Sequence, residues 1–143
     1  MVNAEVQTLQ APDGTPVTNV AFDLSAVQLA AASYASAEML VERHRGQELD
    51  VDDVLALREL TGLRDELDRL VEGGGHASML LPLARFIVLH DAVDEWVATR
   101  TARDWLRKAD EEALPVAGAL LDPMADLRER ALDATLTADQ PSG

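Results

Sequence analysis

From Ser25 to Leu136 the apolar residues recur at three- and four-residue intervals, and no other property of the chain constrains its fold as strongly. Such a repeat gathers apolar side chains on one face of an α-helix, so most of the chain is expected to be helical. Punctuating residues then suggest boundaries. Ser25 followed by Gln28 makes a capping box, and Val27, Ala31, Tyr34 and Val41 form the stripe of a first helix over about 25–45, stopped by Gly46 after Arg43-His44-Arg45. The acidic group Glu48, Asp50, Asp52 and Asp53 suits a helix N-terminus with Asp50 as cap, and a second helix over about 51–72 ends at Gly73-Gly74-Gly75.

In that second helix the apolar stripe changes sides. Val51, Val54, Leu55 and Leu57 centre on one face, whereas Leu60, Leu63, Leu67 and Leu70 lie roughly opposite, with Thr61-Gly62 at the switch. Either the helix breaks at Gly62, or it is continuous and presents the Leu60–Leu63–Leu67–Leu70 seam to a partner, in the spacing of a short coiled coil. A third helix is expected from near Ser78 to about Lys108, with Pro82 in its first turn and a stripe of Met79, Leu83, Phe86, Val93 and Val97. Leu80, Ile87, Leu89 and Trp96 widen that stripe, as in a helix surrounded by others. Pro115 and the pair Asp122-Pro123 divide the remainder into a short helix near 111–121 and a last one near 123–136, with 137–143 as a frayed tail.

Residues 1–22 differ. Glu5–Gln10 and Thr15–Phe22 are rich in β-branched residues and flank Ala11-Pro12-Asp13-Gly14, which reads as a small β-hairpin or, unpaired, an extended arm. The expected architecture is therefore all-α: one domain of 143 residues, an antiparallel bundle of four to five helices preceded by this hairpin. At 48% hydrophobic residues the chain has enough apolar material for a continuous core.

Composition excludes several classes of function. The chain has no Cys, which removes disulfides, thiolate metal sites and cysteine nucleophiles. A net charge of -14 repels a phosphate backbone, so direct nucleic-acid binding is disfavoured. Neither a membrane-spanning apolar run nor a secretory start is present, so the expected compartment is the cytoplasm. Eleven Arg against one Lys, with abundant Ala and Leu, hint at a GC-rich bacterial source.

Three groups of residues could carry function. Glu38, on the face of Tyr34 and Val41, is placed to meet His90 and Asp94 across the helices; such a carboxylate–imidazole cluster could act as a general base or hold a metal. The Glu-x-x-His pattern of di-iron bundles is missing, no metal or other cofactor is expected, and a structural His–Asp pair is the simpler reading. Trp96, Arg100, Arg103 and Arg107 follow at helical spacing and could grip an anion or an acidic partner, or pair within the chain. Residues 76–109 carry five basic and four acidic groups, while 46–75 carry three against nine and 110–143 two against eight, so this row is the one concentration of positive charge. His44 and His76 sit at helix ends. The triple glycine lacks the Lys-Ser/Thr pair of a phosphate loop, and Asp50–Asp53 lacks the spacing of a calcium loop.

Arg85-Phe86-Ile87-Val88-Leu89-His90 has the spacing Arg-x4-His, which resembles the short motif of HEPN-type all-helical ribonucleases. The resemblance would make Arg85 and His90 an RNA-cleaving pair. It covers six residues, Phe86 stands where that motif has a polar residue, and residues five apart on a helix lie about 140° apart. No family is assigned from it. With no complete catalytic set, the expectation is a non-enzymatic, homodimeric interaction or regulatory module whose partner is itself or another protein. The alternatives are an acidic imitator of DNA that occupies a nucleic-acid-binding protein, and a helical enzyme using Glu38, His90 and Asp94.

Overall fold

The computed structural model describes residues 1–45 and 49–139. Gly46 and Glu48, and residues 140–143 of the expected tail, lie outside the described residues. Strands β1 (Val2–Gln10) and β2 (Pro16–Leu24) form the expected hairpin within the chain, with Val6 opposite Val20 and Leu9 opposite Val17. Its turn closes as the residues dictate: Gly14, at φ 85°, donates its amide to the Ala11 carbonyl at 2.8 Å, and Asp13 accepts from the Thr15 amide at 3.0 Å. Glycine takes that positive φ without steric cost. A bulge between Val2 and Glu5 interrupts the ladder, with Asn3 at φ 51° donating to Asp23 at 2.6 Å.

The all-α expectation is overturned by a third strand. After α1 (Ala26–His44) and α2 (Val51–Glu72), residues Ala77–Pro82 form β3, which pairs antiparallel with β2 to give a sheet of order β1-β2-β3. The architecture is α+β. The stretch assigned to the start of the third helix is extended for two physical reasons. Proline disfavours the helical region for the residue before it, so Leu81 is pushed to extended backbone ahead of Pro82. The second edge of β2 also offers hydrogen-bonding partners that a two-stranded hairpin leaves unused. Alternation follows: Ala77, Met79 and Leu81 are buried while Ser78, Leu80 and Pro82 are exposed. Gly74 and Gly75, at φ 69° and 75°, turn the chain from α2 into this strand.

The remaining helices also differ from expectation. α3 runs Leu83–Thr101, with Pro82 as its N-cap, and stops seven residues short of Lys108. α4 is one helix, Lys108–Asp139, that absorbs both Pro115 and Pro123 and extends into the expected tail. Its buried residues Ala113, Ala117, Leu120, Met124, Leu127 and Ala131 keep a four-three spacing through both prolines, so packing on the core outweighs the amide hydrogen bonds the prolines remove. α2 likewise continues through Gly62, whose open side lies near the Arg85 guanidinium. Both expected N-terminal caps form: Ser25 with Gln28 on α1 and Asp50 with Asp53 on α2 are reciprocal capping boxes.

The helices cover one face of the sheet. Val20, Phe22 and Leu24 of β2 and Met79 and Leu81 of β3 point inward, and Phe22 meets Phe86 of α3 edge-on at 5.5 Å. Leu57, Leu60, Leu63 and Leu67 of α2 join the same continuous core. The α1 stripe expected to face inward does so only in part: Ala31 is buried and Tyr34 packs against the core. Val27 and Val41 are exposed, and Leu29, Ala32, Met39 and Leu40 take the buried positions instead.

Candidate functional site

Arg100 is the centre of the polar interior. It lies in the last turn of α3, is 1% exposed, and places its guanidinium carbon 5.5 Å from the Trp96 ring centroid. Its nitrogens reach Glu42 at 2.7 Å, Glu38 at 3.2 Å and Asp110 at 3.9 Å, and Nη1 also donates to the Thr99 hydroxyl at 3.0 Å. One buried cation thus joins α1, α3 and α4. Asp110 accepts from the Tyr34 hydroxyl at 2.7 Å and from the Arg107 amide at 3.1 Å, so it also caps the start of α4 from its third position. Burial works against the Asp110 carboxylate, but the Tyr34 hydroxyl, the Arg107 amide and the Arg100 and Arg107 charges hold its pKa below the usual range. Tyr34 moves the other way: burial first, then the bond to Asp110 and the nearby Glu38, push its hydroxyl well above the ordinary tyrosine range. Tyr34 is a donor throughout the working pH range.

The arginine row expected to grip an anion is largely engaged within the chain. Trp96 is fully buried and stacks edge-on against Tyr34 at 5.7 Å. Arg103 donates to Glu42 at 3.3 Å and lies 4.8 Å over the Trp105 ring, and Arg107 donates to Glu38 at 3.3 Å. Arg103 and Arg107 fall in the connection beyond α3, so the four residues do not share one helix face.

The proposed Glu38–His90–Asp94 cluster does not assemble. Glu38 is bound by Arg100 and Arg107, whereas Asp94 is exposed on α3. His90 faces α4, where Arg128 Nη1 lies 3.2 Å from its Nδ1 and 2.7 Å from Asp91. Burial, then the Arg128 charge, lowers the His90 pKa, which leaves the ring neutral near pH 7. Among the described residues no three His, Asp or Glu side chains are grouped to hold a metal ion. Arg85 is occupied with Glu59 at 3.2 Å and Glu66 at 3.6 Å on α2. The leucine seam is likewise internal: Leu60, Leu63 and Leu67 are fully buried and Leu70 packs beside them, so this face is not available to a partner. The opposite residues Val51, Val54 and Leu55 are the exposed ones.

Two surfaces remain open, one that the sequence left unmarked and one bordered by Arg103 and Arg107 of the row expected to grip an anion. The first is the outer face of the sheet, where Leu9 (58% exposed), Val17, Leu80 (56% exposed) and Pro82 stand with only Glu5 and Asp23 as charged neighbours. The outer edge of β3 has no neighbouring strand among the described residues, and β3 itself carries no charge. The second is a pair of adjoining clefts along α1 that share Tyr34. One, of about 450 Å³, is apolar and lies between Ala26, Val27 and Ala30 of α1 and Ala109, Ala113 and Val116 of α4. The other, of about 320 Å³, is bordered by Glu38, Glu42, Arg45, Arg103 and Arg107. A hint of the second surface was present: Val27 and Val41, about two turns on either side of Tyr34, are apolar positions that the core did not take up. Compared with protein-family models, curated proteins and solved structures, the chain matches none.

Proposed function

We propose that this protein is a non-enzymatic interaction module that self-associates through the outer edge of β3 and the adjoining open face of the sheet. The observation that carries this reading is an uncharged strand edge, unpaired among the described residues, on a chain of net charge -14. Natural edge strands are commonly protected by charges, prolines or bulges. β1 has such protection in its bulge at Val2–Glu5; β3 has only Pro82 at its end. Two copies of an acidic chain repel over most of their surfaces. Along Ala77–Pro82 they can meet without placing one carboxylate opposite another, and antiparallel pairing would join two sheets into one of six strands while covering Leu80.

Light scattering over a dilution series tests this directly. The wild-type protein is expected to show the mass of a dimer that dissociates on dilution. Leu80→Lys, which adds a charge at an exposed position and leaves the buried side of β3 intact, is expected to be monomeric with an unchanged circular dichroism spectrum. A wild-type monomer at every concentration would overturn the proposal, as would a Leu80→Lys dimer of undiminished affinity.

A further inference from the structure

We infer that the paired clefts along α1 form a binding site for a small amphipathic anion: an organic acid whose apolar body lies between α1 and α4 and whose carboxylate is received by Arg107 in the polar cleft. This site lies on the helices, away from the sheet edge proposed above, and stands independently of it.

Shape supplies the first argument. The apolar cleft, at about 450 Å³, is of the size that takes up small ligands, and it is walled by side chains too short to close the gap between two helices. Larger residues at Ala30 or Ala109, both exposed, would fill it without disturbing the core. Tyr34 forms the joint between this cleft and the polar one, so a single ligand can lie along α1 with one end in each.

Charge supplies the second argument and sets the ligand's direction. The polar cleft is lined by Arg45, Arg103 and Arg107 against Glu38 and Glu42: three cations against two anions. On a molecule of net charge -14 this is a local surplus of positive charge, and an anion is repelled from most other surfaces. Donors remain for it. Arg107, 59% exposed, is held by a single side-chain bond to Glu38, so its other N–H groups can reach a ligand, whereas Arg103 Nη1 is itself buried and contributes charge alone. A guanidinium carries five N–H donors, and a carboxylate can accept two of them side by side. At the other end Glu112 borders the apolar cleft and would repel a carboxylate, so the acid group points toward the arginines. Tyr34, kept protonated and committed to Asp110, supplies a wall and no base, which suits retention of a ligand better than its conversion.

Titration calorimetry with two amphiphiles of the same tail and opposite heads, decanoate and decyltrimethylammonium below their micellar concentrations, tests the site. General attraction to a protein of this charge favours the cation; the proposed site favours decanoate, bound once per chain. Arg107→Gln is expected to weaken decanoate by about tenfold, the worth of one charge-assisted hydrogen bond. Ala30→Phe and Ala109→Phe, at exposed positions, are expected to abolish binding while the circular dichroism spectrum is kept. The proposal is overturned by the absence of decanoate binding, by equal or tighter binding of the cation, or by undiminished decanoate affinity in Arg107→Gln and in either folded phenylalanine variant.

Discussion

Arg100 shows how one side chain can organise an interior. A guanidinium this deeply buried loses its water, and it is tolerated because Glu42, Glu38 and Asp110 surround it with opposite charge while Trp96 covers it. Removing it leaves Asp110 buried with one cation fewer and frees Glu38 and Glu42 from their shared partner. Arg100→Met is therefore expected to cost about 3 kcal/mol of folding free energy, the scale seen when one member of a buried ion pair is deleted. Urea unfolding measures it, and a cost below about 1 kcal/mol would mean that the carboxylates are hydrated well enough to need no counter-charge. In the sequence Arg100 was visible only as one of four arginines near a tryptophan. Which of them turns inward depends on where α3 ends, and the two residues that complete the network, Tyr34 and Asp110, lie 66 positions before it and ten after it. Spacing along one helix carries no information about such a junction of three.

At the scale of elements, legibility followed local signals. α1 and α2 were readable because their capping boxes close within three residues, and the hairpin because its turn closes within five. β3 was hidden: its six residues flow directly into α3, and only the restriction that Pro82 places on Leu81 spoke against a helix. α4 misled in the opposite sense, since its prolines are breakers locally but its buried stripe runs through both. In α1, alanines occupy so many positions that several stripes were equally apolar, and the core chose the one through Leu29 and Met39. α2 offers the sharpest test of inside against outside. Leu63→Ala is expected to destabilise the fold by about 2–5 kcal/mol through lost burial and the cavity left behind. Leu55→Ala, on the exposed side of the same helix, is expected to change stability by less than about 0.5 kcal/mol. Equal effects in thermal or urea unfolding would reverse the assignment of the two faces.

At the scale of the whole molecule, the excess of 14 negative charges is a load that the network around Arg100 relieves at one place only. Among the described residues, six exposed carboxylates lie on α4 alone, including Glu111, Glu112, Asp122 and Glu129. Mutual repulsion favours expanded states, and salt screens it, shortening the Debye length from about 30 Å at 0.01 M to about 8 Å at 0.15 M. The melting temperature is therefore expected to rise between those two sodium chloride concentrations, by roughly 3 °C for each kcal/mol of repulsion removed. A fall would show that the surface ion pairs, such as Arg43–Glu95 and Arg128–Asp91, outweigh the repulsion.

The sheet's topology also imposes an order of events during synthesis. β2 is complete at residue 24, but the strand that covers its second edge ends only at residue 82, after both α1 and α2 have left the ribosome. Through that interval the growing chain exposes a raw strand edge together with the apolar faces of two helices. Closing the gap requires a long loop, a slow step of the kind that limits folding rates. A nascent chain of this protein thus passes through a window in which a neighbouring copy, or a chaperone, can reach β2 before its own third strand does.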